Sequence, residues 1–358
     1  LEDSTVRKVA ETCDLEINDI LVVHNVESTY HVPALLQFQG TIPLISSRLR
    51  LDNVTKTATQ IEAGNTMWTK WTGLTMSRNH YEEVTIALVG KYVESMDAYM
   101  SVQKALEHAA MAHRRKLNLK IVNSARLEPD AAGHCEAWAT LRTADGIIVP
   151  GGFGPRGVEG KIAAARWARE NGTPYLGICL GMQIAVIEYA RNVCEIPAAN
   201  SAELCPGCEH PVIIAMSELD KLHMGGTMRL GLRATEFQTG TEWSRLRKLY
   251  DGQQTIEERH RHRYEVNPDY VERLSSRGLH FVGKDTSGVR MEVIELKDHP
   301  WYVGVQYHPE YQSRVLDPSK PYLGFVAAAI SKRSHINGAV HTNGTAHTDG
   351  EAHVNGGV

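Results

Sequence analysis

The chain has 358 residues, 42% hydrophobic and 22% charged, with a formal net charge of −4. That length holds one large or two ordinary domains, and the composition is that of a globular protein in water. The near-balanced charge gives no pull toward nucleic acid or membrane, no apolar run is long enough to span a bilayer, and the six cysteines are scattered as in a reducing compartment.

The chain opens on Leu1, without a signal peptide, and its first residues read as mid-domain helix, so a piece of a longer protein is expected. Residues 4–13 read as a short helix, 20–23 as a strand and 34–39 as a helix. Residues 51–81 are polar and read as a linker containing one helix, with Trp68 and Trp71 one turn apart as packing anchors. A buried strand at 84–89 then opens a second region. Residues 97–113 form an amphipathic pattern with Val102, Leu106 and Ala109 on one face. Further strands are expected at 119–122 and 146–149, a helix at 161–171, and a strand from Tyr175 to Ile178 followed by helical spacing from Met182 to Ala190. Such alternation implies a parallel sheet with helices on both faces. Beyond Pro211 the pattern changes to short segments at 212–216, 227–232, 280–284 and 289–296, which read as added antiparallel strands. Arg259 to Tyr264 alternates, and a strand would put Arg259, Arg261 and Arg263 on one face; one such Arg suits a substrate carboxylate better than nucleic acid. Cys205 and Cys208 make a single C-x-x-C with no second ligand pair, and read as a loop with two thiols; no metal site is expected.

Residues 334–358 carry a six-residue repeat headed by His335, His341, His347 and His353. Gly, Asn and Thr dominate, so a disordered tail is expected. Metal binding by the four His would have to overcome the entropy of the flexible glycines. The expected organisation is 1–50, a linker at 51–81, a main domain at 82–333 and the tail.

Three stretches carry chemistry. Gly177-Ile178-Cys179-Leu180-Gly181 is G-x-C-x-G, the thiol counterpart of a nucleophile elbow. A tight strand-to-helix turn pushes the thiol off the backbone, and the helix N-terminus favours its thiolate. The plain alternative is a buried free Cys in a sheet. Trp301 to Tyr307 reads as a strand ending in His308-Pro309-Glu310, where two residues sharing a face let Glu310 orient His308. Pro150-Gly151-Gly152-Phe153-Gly154 follows a strand and offers backbone N–H groups for an oxyanion. Taken alone, the last two read as a surface turn and a plain loop. All three fall at carboxyl ends of strands, where α/β sheets place active sites.

Together, P-G-G-F-G, G-I-C-L-G-M-Q and Q-Y-H-P-E resemble the class I glutamine amidotransferases. Gly157 to Gly160, Ala165 to Glu170, Gly225 to Gly231 and Arg259 to Asn267 are similar to the glutaminase half of the CTP synthase family. The resemblance covers roughly the first 330 residues. It implies a cytoplasmic enzyme with a Cys179-His308-Glu310 triad and an oxyanion hole from the amides of Gly152 and Leu180. It also implies Phe153, Gln183, Glu203 and Arg263 around L-glutamine, Glu203 on its ammonium and Arg263 on its carboxylate. Residues 1–50 resemble the end of a P-loop-type α/β synthetase (amidoligase) domain. There the resemblance implies Lys8 at the pyrimidine nucleotide and His24, Asn25 and Val26 at the ATP site, although Asn25 stands where the family has Asp and Thr12 where it has an aromatic residue. ATP, UTP and Mg²⁺, activation by GTP, and tetramers or filaments are implied for the full enzyme. No G-x-x-x-x-G-K-[ST] occurs in the chain, so the synthetase half is expected to be incomplete here. Two rivals are the glutaminase of another amidotransferase, as in GMP or anthranilate synthesis, and a truncated, non-catalytic assembly subunit.

Overall fold

The computed structural model describes residues 3–76, 81–91, 93, 96–216 and 228–343, with side chains of Asp52 and of 335–343 excepted. The chain divides into two compact units, Leu1–Tyr81 and Glu82–Val358. The expected start of a strand at Thr227, and the repeats beyond Asn343, lie outside the described residues.

The first unit contains α1 (Asp3–Cys13), α2 (Val32–Phe38), α3 (Thr41–Arg48) and α4 (Ala58–Thr75). α4 starts in a capping box, in which the Thr57 hydroxyl accepts from Gln60 N and the Gln60 side chain accepts from Thr57 N. The stretch read as a linker ties back into this unit. Trp71 Nε1 donates to Tyr30 O at 3.2 Å, and the two rings meet edge to face. The strand expected at 20–23 is absent. The Gln39 side chain takes a neighbouring strand's place, accepting from Val22 N at 2.7 Å and donating to Val22 O at 2.8 Å. Apolar β-branched residues made the stretch look like a strand, but the Gln39 side-chain amide pairs with the backbone of Val22 at its middle.

The second unit is an α/β domain. Its elements run β1 (Glu83–Gly90), α5 (Met100–Ala112), β2 (Lys116–Asn123), α6 (His134–Thr143), β3 (Gly146–Val149), α7 (Val158–Glu170), β4 (Tyr175–Ile178) and α8 (Leu180–Asn192). The chain continues through β5 (Ala199–Ser201), β6 (His210–Ala215), β7 (Arg229–Phe237), α9 (Arg245–Leu249), β8 (Thr255–His262), β9 (Tyr264–Val266) and α10 (Pro268–Ser276). It ends with β10 (His280–Asp285), β11 (Met291–Glu295), β12 (Tyr302–Val305) and α11 (Lys320–Asn343). α11 reaches into the stretch where the disordered tail was expected.

Nine strands form one sheet in the order β2-β1-β3-β4-β12-β11-β10-β7-β8. From β2 to β12 every pairing is parallel, and from β12 to β8 every pairing is antiparallel. The architecture is therefore mixed, with the expected antiparallel extension. β5, β6 and β9 form a small second sheet.

The parallel strands are apolar without a break because both their faces are covered. Tyr175 and Tyr302 pack with α7 and α8 on one face. Their neighbours Leu176 and Val303 pack with α5 and α11 on the other. α7 comes close enough to touch backbone. A Cβ on Gly160 would lie 1.8 Å from Ser124 O. Gly160→Ala must push α7 off that turn, and is expected to cost about 1–3 kcal/mol, read as a lower denaturant midpoint at unchanged slope.

Candidate active site

Three neighbouring parallel strands set the site. Val149 pairs with Gly177, and Val305 with Ile178, so β3, β4 and β12 end at one level. Cys179 follows the middle strand, the Pro150–Gly154 turn follows β3, and His308 lies three residues past β12. Strand register alone thus converges segments that lie far apart in sequence.

Cys179 sits at φ 53° and ψ −104°, a left-handed conformation that strains a residue with a side chain. The turn is closed from both sides. A Cβ on Gly181 would lie 2.0 Å from Val149 O, and one on Gly177 would lie 2.6 Å from the Gly181 backbone. Tyr175 OH donates to Gly181 O at 2.8 Å and Cys179 N to Val305 O at 2.7 Å, which ties the elbow to the sheet. Leu180 is the first residue of α8, and a helix leaves the amide of its first residue unpaired.

His308 and Glu310 form a pair, Nδ1 to Oε1 at 2.8 Å, so Nδ1–H donates to the carboxylate and Nε2 is left for the sulfur. The His308 ring and the Cys179 side chain meet over Gly151, whose Cβ would lie 2.8 Å from His308 Cε1 and 3.5 Å from Cys179 Cβ. Burial opposes the imidazolium, but the Cys179 sulfur and the Glu310 carboxylate outweigh it and raise its pKa to about 11. A Cβ on Gly151 would meet His308 Cε1 at 2.8 Å, so only glycine fits beneath the ring. Cys179, His308, Glu310, Gly152, Phe153 and Arg261 line one cavity of about 270 Å³, just below the roughly 300–1,000 Å³ of drug-sized pockets. A larger hollow of about 540 Å³ in the first unit is lined by residues of α4 alone and gathers no reactive set.

Leu180, Gln183, Glu203 and Arg263 also belong to the second unit, outside the lining of that cavity. Leu180 is buried; Gln183, also buried, donates to Tyr264 O at 3.0 Å and Gln306 Oε1 at 3.1 Å. Glu203 follows β5 and accepts from Gly154 N at 3.2 Å. Its pKa is raised, first by burial, with the Gly154 amide and the charges of Lys91, Arg263 and Lys161 opposing. Arg263 is half-buried at the joint between β8 and β9. Lys8, His24, Asn25 and Val26 belong to the first unit: Lys8 is exposed on α1, while the other three occupy an irregular stretch, His24 and Asn25 exposed.

Sequence reasoning missed several residues. Lys161 is 2% exposed, and burial, then Lys91 and Arg156, lower its pKa to about 8. Its place on α7 with Val158, Ile162 and Ala165 puts it on the apolar face, a legible signal. Arg259 and Arg261 share the exposed face of β8, but Arg263, expected on the same face, lies past the end of the strand; the backbone of β8 also reaches the site. Arg259 O accepts from His308 N at 2.8 Å, and Arg261 O lies 3.8 Å from Cys179 Sγ. On the other face His260, His262 and Glu292 form a buried cluster; among the described residues it is the grouping with metal-ligand chemistry. The two strands that build it are too far apart in sequence for spacing to reveal it.

Residues 94–328 match the family model of the class I glutamine amidotransferases, and the chain belongs to that family. Within it the chain falls with the CTP synthases. It is 56% identical over 335 residues to CTP synthase of Neurospora crassa, covering 92% of this chain and 58% of that protein. It is 52% identical over 335 residues to that of Schizosaccharomyces pombe, covering 92% and 56%. The glutaminase domain of Trypanosoma brucei CTPS, solved with bound acivicin, superposes with a TM-score of 0.64 at 41% identity, covering 69% of this chain and 94% of that domain. The chain thus spans a little over half the length of its curated relatives.

The raised pKa of His308 has a consequence for stability. A group raised from its ordinary 6.5 to about 11 contributes fully below the lower value and fades as pH rises through the upper one. Glu310→Gln removes one of the two supports. The His308 ring protons, followed by NMR, are expected to titrate about one unit or more lower in this variant.

Proposed function

We propose that this chain hydrolyses the side-chain amide of L-glutamine, and that the ammonia serves ATP-dependent amination of UTP to CTP. The observation that carries the first half is that Cys179, His308 and Glu310 line one cavity, with His308 bonded to Glu310 and its ring beside the Cys179 side chain. The Cys179 sulfur adds to the amide carbonyl, and the oxyanion points at the amides of Gly152 and Leu180. The His308 imidazolium gives its Nε2 proton to the leaving nitrogen, the C–N bond breaks, and ammonia departs from a thioester. His308 then takes a proton from water as it attacks; the C–S bond breaks, and glutamate and the thiolate are restored. Glu310 keeps Nδ1 protonated throughout. Phe153, Gln183, Glu203 and Arg263 surround the amino acid, with Glu203 for its ammonium and Arg263 for its carboxylate.

The second half rests on the CTP synthase relatives. Their full activity needs an ATP and Mg²⁺ site. The sequence has no phosphate-cradling G-x-x-x-x-G-K-[ST], and among the described residues the grouping of metal-ligand side chains is two His and one Glu, where Mg²⁺ demands oxygens. GTP activation and assembly into tetramers or filaments enter this reading from the family alone. The six thiols are all unpaired, which supports a cytoplasmic setting.

Cys179→Ala is expected to abolish glutamate release, to below about 10⁻³ of the unmodified rate, while leaving the circular dichroism spectrum and melting temperature in place. Release at the original rate would overturn the glutaminase reading. Free ammonia bypasses Cys179 and isolates the amination. The chain given ATP, Mg²⁺, UTP and ammonium is expected to form no CTP; product above background would place a phosphate site among residues read here as structural.

A further inference from the structure

The buried face of β8 holds a polar network with no part in the chemistry above. His260 and His262 are 3% and 2% exposed and Glu292 is fully buried. Their hydrogen bonds fix both tautomers. His262 Nδ1 faces Tyr264 O at 3.0 Å, so Nδ1 must carry the proton and Nε2 must accept. His260 Nδ1 faces that Nε2 at 3.1 Å, so His260 Nδ1 donates. Burial, before any charge effect, lowers the pKa of His260 to about 2 and of His262 to about 3, in keeping with two neutral rings. Behind them, Arg229 lies 3.2 Å from Glu292 Oε1.

The acceptor at the end of this chain is what matters. Tyr264 O receives both His262 Nδ1–H and the Gln183 side-chain amide at 3.0 Å, so β9 is joined at one atom to the helix that follows the nucleophile. His262 ends a strand of the large sheet, and Tyr264 begins a strand of the small one. Arg263 is the single residue that crosses between the sheets. The His262 to Tyr264 hydrogen bond spans that crossing.

We propose that His262, held in its tautomer by His260, is a positioning residue for glutamine, acting through Arg263 and the Tyr264 carbonyl. This rests on the glutaminase reading. It predicts a requirement for a donor at Nδ1 specifically. A metal ion is the competing use of this cluster. It is disfavoured because the Arg229 guanidinium already accompanies Glu292, and His262 Nε2 already accepts from His260.

The test compares His262→Asn with His262→Gln in the full chain. Asn places an amide nitrogen near the position of Nδ1, whereas Gln places its amide near Nε2. Gln is the closer match to the ring in volume, so a role in packing alone would spare Gln and harm Asn, the reverse order. The expected result is a glutamine KM within about 3-fold of the original for Asn and raised about 10-fold for Gln, the worth of one lost hydrogen bond, with kcat little changed in both. Alkylation of Cys179 by iodoacetamide, which needs no carboxylate recognition, should keep its rate in both variants. Equal KM values for Asn and Gln would overturn the proposal, as would a loss confined to kcat or a stoichiometric zinc ion in the purified chain that both variants lose. Cys179→Ala, run alongside, separates the failures. If it still releases glutamate, the glutaminase reading falls; if it is inactive while Asn and Gln match, only the positioning role does.

Discussion

The left-handed turn at Cys179 is the constraint around which the second unit is built. A side-chain-bearing residue at φ 53° and ψ −104° costs on the order of 1–3 kcal/mol and persists only where its surroundings over-determine it. Here they do. From Leu180 to Ala190 every residue of α8 is buried, so the helix cannot rotate to relax the turn. The Gly181 position lies against Val149 O, and Tyr175, stacked on Tyr302 with centroids 4.6 Å apart, holds Gly181 O through its hydroxyl. Strain at one residue is thus balanced by burial spread over three strands and a helix. The sulfur is left at the mouth of the turn at the N-terminus of α8.

The same packing makes the site's electrostatics strong. Lys161 sits behind the glycine turn with Lys91 and Arg156 nearby, and Glu203 opposes them. Away from water such charges interact far more strongly than on a surface. The carboxylate of Glu203 is partly buried and held by the Gly154 amide, which turns it into a fixed acceptor at the edge of the turn that carries Gly152. The position of that turn is therefore set by charge as well as by sheet register.

How much of this was legible in the sequence follows from the range of each interaction. β3 and β4 lie where apolar runs and flanking glycines indicated, because local pattern decides a doubly covered strand. The Cys179, His308 and Gly152 segments were legible because each carries a short motif at a strand end. The failure at residues 20–23 came from a side chain, Gln39, that satisfied a backbone no periodicity rule could see. The His260, His262 and Glu292 cluster was illegible for a different reason: it exists only through pairings that link β8 to β11 by way of β7 and β10, and spacing along the chain does not encode which antiparallel strands meet. Lys161 was legible and passed over, since a lysine on the apolar face of a helix is itself a sign of a buried charge.

The antiparallel half of the sheet also explains why the site is not complete at the three parallel strands. β8 lies at the far edge of the sheet, bonded to β7, yet its backbone returns over the carboxyl ends, where Arg259 O takes the His308 amide and Arg261 O closes over the sulfur. A buried amide left without such a partner costs about 1–3 kcal/mol, so the extension fixes His308 as firmly as β12 does. One exposed face of β8 then carries arginines toward solvent while the opposite face buries two histidines. The alternation that looks like a basic run in sequence is, in the fold, a strand whose backbone carbonyls reach the site. Catalytic geometry in this unit therefore depends on strands distant in sequence, and the elbow, although formed by local residues, is a site only with β8 in place over it.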